Sequence, residues 1–259
     1  MKIERLSTCS FKFYSPEGKV VMVDPWLTND PFWPLSEKTP EKLCEIDVVA
    51  VTHAHFDHAS GIEEITSQNE KTFIVGQFEY AIGLQQRGVK NAVPMNFGAS
   101  IDLCGIRFSM VQASHTNSEM LASGKMEPVG AAAGYVIEFE DGRKVYASGD
   151  TGLTAEMKFV VADYHKPLIA ILPVTGLMVM EPEQAAYAAN AIGCRYVIPC
   201  HDFPKEISDA ANPDGYREFL TRFPVQDSYK KIETFMEIMR NDYPHIKAIF
   251  IPIGGSVDL

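Results

Sequence analysis

An α/β fold with αββα layering, two mixed β-sheets flanked by helices, is predicted for this chain by three observations. The first half alternates and turns like a β-meander, and the second half reads as β-α-β-α-β. In addition, several apolar runs end on His or Asp, which collects chemistry at the ends of strands. The 259 residues suffice for one large α/β domain with a sizeable core. Gly and Pro are dispersed rather than gathered into a linker, so a single domain over residues 1–259 is expected.

Element by element, "CSFKFYS" alternates, "PEG" turns the chain and "KVVMVD" returns as the hairpin partner. The stretch "DPWLTNDPFWPLSEKTP" is a long proline-interrupted loop holding both tryptophans. "IDVVAVT" is a β-branched run read as a buried strand, "GIEEITSQ" a short helix, "KTFIVG" a strand, and "QFEYAIGLQQRG" a helix closed by Gly88. "SIDLCG" and "IRFSMVQAS" read as paired strands, and "HTNSEMLASGKMEPVGA" as a long irregular loop. "AAGYVIEFEDGRKVYASGD" is a hairpin turning at Asp141-Gly142. Then follow "TAEMKFVVADY" (helix), "LIAILPV" (strand), "PEQAAYAANAIG" (helix) and "RYVIPCHD" (strand). "SYKKIETFMEIMR" is an amphipathic helix and "IKAIFIPIG" a final strand.

The formal net charge of -11 disfavours loose electrostatic binding to nucleic acid or to an anionic membrane. No run approaches the roughly 18 apolar residues of a membrane helix. The N-terminal "MKIERLSTCSFKF" has no basic head followed by an apolar core, so a cytoplasmic location is expected. Five scattered cysteines without a CxxC pair suit reduced, mostly buried thiols.

"AVTHAHFDHASG" sets His53, His55, Asp57 and His58 directly after an apolar strand. In extended chain, residues two apart face the same way, so His53, His55 and Asp57 can line one side. Imidazole and carboxylate suit Zn²⁺, Fe²⁺ or Mn²⁺. One ion rarely takes all its ligands from so short a segment. His115, Asp150 and His201 each follow another apolar strand, and seven ligands make two sites if one carboxylate bridges. His165, read as a helix-end cation, and His245, in a loop, are given bland roles. Cys200, one residue before His201, should point into the core.

"THAHFDH" matches the HxHxDH signature of the metallo-β-lactamase superfamily, and the chain resembles that superfamily over nearly its whole length. "SGDTG" and "MVMEPEQAAYAANAIGCRYVIPCH" make it most similar to the L-ascorbate-6-phosphate lactonase-like (UlaG-like) and UPF0173 metal-dependent hydrolase group. The resemblance implies a four-layer metallo-β-lactamase fold and two divalent ions, Zn²⁺ foremost, with Mn²⁺ or Fe²⁺ as alternatives. It also implies roles: His53, His55 and His115 on the first ion; Asp57, His58 and His201 on the second; Asp150 between them. Asp57 and Asp150 are then the catalytic carboxylates, and a bridging hydroxide is the nucleophile. Thr52, Thr151 and Asp24 can orient imidazoles from behind, Asp24 alternatively serving its turn.

The departures from other members narrow the choice. A glutamate does not replace His55, and within these 259 residues neither a flavin domain nor a basic insertion is expected. The expected function is hydrolysis of a small molecule, with an anionic one compatible, and with a lactone or other cyclic ester or amide as the scissile group. A phosphodiesterase and a non-catalytic metal-binding scaffold are the alternatives, and a homo-oligomer is compatible with either. Substrate contacts are sought at Asn117, Glu119, Lys125 and Thr175, with Lys125 either holding an anion or simply solvated. Phe32 and Trp33 are expected to pack their own loop.

Overall fold

The computed structural model describes residues 1–223, 225 and 227–259. Its strands are β1 (Lys2–Arg5), β2 (Phe11–Tyr14), β3 (Val20–Val23), β4 (Val48–Ala50), β5 (Phe73–Gln77), β6 (Ala92–Met95), β7 (Ser100–Leu103) and β8 (Ile106–Gln112). There follow β9 (Ser118–Met120), β10 (Met126–Pro128), β11 (Ala133–Glu138), β12 (Lys144–Ala147), β13 (Ile169–Pro173), β14 (Tyr196–Cys200), β15 (Lys247–Ala248) and β16 (Ser256–Asp258). Two seven-stranded sheets form, in the orders β16-β1-β2-β3-β4-β5-β6 and β15-β14-β13-β12-β11-β8-β7. Each is mixed. The β3 to β6 pairs and the β12 to β15 pairs are parallel, and the remaining pairs are antiparallel.

The layering follows from which faces are apolar. Phe11, Phe13, Val21 and Val48 of the first sheet meet Phe108, Tyr135, Ile137 and Ile171 of the second in one buried core between the sheets. The outer face of the first sheet packs on α1 (Pro40–Cys44), α3 (Ile62–Gln68) and α4 (Phe78–Gln86), with the short α2 (Phe56–Ala59) at the sheet's end. The outer face of the second packs on a π-helix (Met157–His165), α5 (Pro182–Ile192) and α7 (Ser228–Asp242). Burying strands on both faces explains why "IDVVAVT" and "LIAILPV" read as continuous apolar runs. Tyr135 ties the sheets together at their seam: its hydroxyl lies 3.1 Å from the Val51 carbonyl oxygen and 3.2 Å from that of Val75. Among the described residues no helix is long and apolar enough to cross a membrane.

Several sequence expectations need correction. The segment 115–131 is not an irregular loop throughout, because β9 and β10 form a two-stranded hairpin within it. Each strand has three residues and none of them buried, too short for alternation to register. The stretch after Thr154 is π-helical rather than α-helical. The last apolar run keeps only two residues in β15, with the true terminal strand, β16, paired to β1. A further helix, α6 (Pro213–Arg222), was not anticipated. His165 ends the π-helix, where burial and then the nearby Lys144 hold its pKa below the usual value.

Candidate metal centre

The site assembles at one edge of the sandwich because the parallel strands of both sheets end there. The first sheet delivers Asp24 just past β3, and Thr52, His53, His55, Asp57 and His58 past β4. The second delivers His115 past β8, Asp150 past β12 and His201 past β14. Asp24 and His201 adopt left-handed backbone, with φ of 50° and 71°. Asp and His tolerate that region better than most residues, and such outliers concentrate at functional sites.

Two groups of donor atoms result. One atom each from His53, His55 and His115 lies within 4.8 Å of the others, and so does one each from Cys9, His58, Asp150 and His201. His53 Nε2 faces His55 Nδ1 at 3.0 Å. The Asp150 carboxylate joins the groups: Oδ2 lies 3.1 Å from His201 Nε2 and 3.8 Å from His115 Nε2, and Oδ1 lies 3.5 Å from His58 Nε2. Asp57 Oδ2 is 3.8 Å from His58 Nε2. Ligand-to-metal distances of about 2.0–2.3 Å put donors to one ion roughly 3–4 Å apart, the spacing found here.

Four of the five imidazoles, those of His53, His58, His115 and His201, are held by their other nitrogen. Asp24 Oδ2 is 2.8 Å from His58 Nδ1, and the same carboxylate accepts the Thr52 amide at 2.7 Å and hydroxyl at 2.6 Å. Thr52 Oγ1 is also 3.1 Å from His53 Nδ1. The Met178 carbonyl oxygen lies 3.1 Å from His115 Nδ1, and Thr175 Oγ1 lies 2.9 Å from His201 Nδ1. These contacts leave the opposite nitrogens aimed inward, the arrangement that orients metal-binding histidines. His58 Nε2 is fully buried and finds no hydrogen-bond partner. An orphaned nitrogen of this kind demands an explanation, and a cation among these donors supplies one.

The electrostatics divide along the same line. Burial, reinforced by His58, pushes His53 well down, and burial likewise lowers His55 and His115, which favours the neutral imidazole with a lone pair to donate. Burial also disfavours charge on His58, but Asp150, Asp24 and Asp57 outweigh it and raise its pKa well above the ordinary value. Asp150 is the reverse case: burial is overcome by His201 and His58, which hold it well below the usual carboxylate range. This half of the site is an anion-rich, buried place suited to positive charge.

Other expected roles are redistributed. Thr151 does not touch an imidazole. Its hydroxyl accepts the Ser114 amide and donates to the Gly152 carbonyl, tying the His115 and Asp150 loops together. Asn117 is buried, accepting the Ala54 amide and donating to the Val129 and Ala131 carbonyls, so it braces the histidine segment rather than meeting substrate. Glu119 pairs with Arg87 at 2.8 Å. Lys125 is exposed beyond β9, outside the cavity wall, as a solvated lysine would be. Thr175 serves His201, not a ligand. Phe32 and Trp33 are buried in packing, as expected.

Two residues escaped the sequence reading. Cys9 Sγ lies 3.9 Å from Asp150 Oδ1 and 3.9 Å from Cys200 Sγ, its thiol pushed up in pKa by burial and by Cys200. Arg5, fully buried, donates to Asp202 Oδ1 at 2.7 Å and to the Ser7 and Thr8 carbonyls, fixing the backbone on either side of the site. Neither has a motif, since a single Cys or Arg carries no spacing signal. Cys200 itself packs in the core between the sheets.

Above the donors opens a cavity of about 730 Å³, floored by His55, Asp57, His115, Asp150 and His201. Its volume is in the range of small-molecule sites.

Comparison with known proteins shows the family. Residues 19–201 match the model of the β-lactamase superfamily domain. A UPF0173 metal-dependent hydrolase of Methanosphaera stadtmanae is 37% identical over 202 residues, 78% of this chain and 83% of that one. One from a Roseiflexus species is 34% identical over 218 residues, 83% of this chain and 88% of the relative. The fold is similar to that of Igni18, a metallo hydrolase from Ignicoccus hospitalis, with a TM-score of 0.74 at 24% identity, covering 99% of this chain and 97% of that chain.

Proposed function

Because the chain belongs to the β-lactamase superfamily and is a metal-dependent hydrolase within it, we propose that it carries two divalent ions and hydrolyses the carbonyl of a small lactone or other cyclic ester or amide. The observation that carries this reading is the position of Asp150. Its two carboxylate oxygens reach toward His58, His201 and His115 at 3.1–3.8 Å, so one carboxylate serves both donor groups. His53, His55 and His115 would hold one ion, Asp57, His58 and His201 the other, with Asp150 shared. Zn²⁺ suits the imidazole-rich set best, and Mn²⁺ or Fe²⁺ also fits it.

When bound, such ions supply hydroxide at neutral pH and polarise the scissile carbonyl. The chain's own residues do the rest. Asp24, Thr52, Thr175 and the Met178 carbonyl keep the ring nitrogens aimed inward. Asp57 borders the cavity and takes the proton of the attacking water, then returns it to the leaving oxygen or nitrogen as the acyl bond breaks.

Metal analysis tests the reading. Protein purified without chelator or an affinity metal is expected to contain about two ions of Zn, Mn or Fe per chain by plasma mass spectrometry. Folded Asp150→Ala protein is expected to lose at least one ion and nearly all hydrolysis. Full occupancy in that variant would end the shared-carboxylate assignment.

A further inference from the structure

The floor of the cavity is polar, but its sides are not. Phe56, Phe219 and Phe223 form one wall, and Met120, Met126 and Met178 rim the other. The aromatic side is preorganised. Phe219 and Phe223 stack at 4.9 Å between ring centroids, Phe56 lies 5.8 Å from Phe223, and Trp26 backs Phe219 at 5.6 Å. Helix α6, which carries Phe219, is anchored by a hydrogen bond from the Tyr216 hydroxyl to the Pro204 carbonyl at 2.8 Å. The methionine side is adaptable. Met120 and Met126 face one another across the β9–β10 hairpin, and both are about half exposed. Unbranched thioether chains of this kind re-pack around varied apolar shapes.

Charge decides what such a space accepts. Among the described residues no lysine or arginine lines the cavity, and the two charged side chains that do, Asp57 and Asp150, are acidic. Arg87, on the far side of the hairpin, is already paired with Glu63 and Glu119. A phosphate or carboxylate away from the reacting centre would lose water here without gaining a partner. Exposed methionines and half-buried phenylalanines around a catalytic floor are instead an apolar binding surface left open to solvent.

We infer that the substrate is uncharged, with an aryl or medium-length alkyl group that lies between the phenylalanine wall and the methionine rim while its carbonyl meets the floor. This rests on the hydrolase reading above and narrows it: phosphosugar lactones and other substrates with an anionic group away from the scissile bond are disfavoured, and hydrophobic lactones, esters or amides are selected.

Hydroxamates of increasing chain length, from acetyl to octanoyl, test it on the metal-loaded protein, because the head group anchors to the metals and the tail reports the cavity. Affinity is expected to rise about fourfold per methylene over the first several carbons. Benzohydroxamate should bind well above acetohydroxamate, and a terminal carboxylate or phosphate on the tail should weaken binding. Phe219→Ala should flatten the chain-length dependence. Met126→Ala, on the exposed hairpin outside the buried cores, should do so partially. A flat series, or preference for anionic tails, overturns the inference. The matching primary alcohols lack the metal-binding head. If they follow chain length while no hydroxamate binds, the apolar site is upheld and the metal-centre reading fails instead.

Discussion

Thr175 shows how a side chain near a cavity can serve another residue rather than a ligand. Its hydroxyl is within 2.9 Å of His201 Nδ1, and His201 itself sits in left-handed backbone, so this contact fixes the ring of a residue with little freedom to adjust. Thr175→Val is expected to weaken metal affinity about 10- to 100-fold, measured by competition with a chromophoric chelator, while Thr175→Ser retains it. A change confined to KM would instead return Thr175 to the substrate. At this scale the sequence was most legible where residue type and position coincided. Histidines and aspartates after apolar strands stand out because little else puts ligating atoms there. Asn117, Glu119 and Thr175 were placed in the cavity region by proximity alone, and proximity in sequence does not tell whether a polar chain faces a ligand or a backbone amide. Cys9 was invisible for a different reason: it meets Asp150 only after 141 residues of chain have folded back.

Among the elements, long runs with one clear period were read correctly, including the β2–β3 hairpin, the β11–β12 hairpin and α5. The missed helix α6 did have a signal. Asn212 caps it by accepting the Gly215 amide, Pro213 stands in its first turn, and Tyr216, Phe219, Leu220 and Phe223 recur at helical spacing. The β9–β10 hairpin had none, since its pairing rests on a few backbone bonds and not on a buried face. The turn after β12 offers a sharper test of how backbone sets the site. Gly149 has φ of 59°, and a Cβ there would meet Thr52 Cβ at 2.5 Å, pressing on the residue that holds Asp24 and His53. Gly193, at the end of α5, has φ of 72° with nothing within 4 Å of a Cβ. Urea unfolding is expected to show Gly193→Ala costing about 1 kcal/mol from conformation alone, and Gly149→Ala about 2–5 kcal/mol from conformation plus overpacking. Equal costs would show that the approach to Thr52 relaxes freely.

For the whole molecule, the four-layer arrangement was legible because the two halves of the sequence carry different periodicities, and a buried parallel strand reads as an unbroken apolar run. The relative placement of the halves was less so, because it depends on contacts such as Tyr135 with Val51 and His201 with Thr8 that no local pattern encodes. The donors come from both sheets, so removing metal should cost global stability. Dialysis against a chelator is expected to lower the urea midpoint, and restoring ion to 100 times its dissociation constant should recover about 2.7 kcal/mol. An unchanged midpoint would mean that the centre forms no link between the sheets.

That link also bears on local motion. Strands β4 and β14 lie in different sheets, yet each runs into residues of the same donor set. Fraying at either end would release the ion that His58 and His201 would share, so its binding would raise the opening free energy of both. Two strands with no hydrogen bond between them thus become a single cooperative unit in amide hydrogen exchange, slowing together as metal is added and quickening together as it is withdrawn.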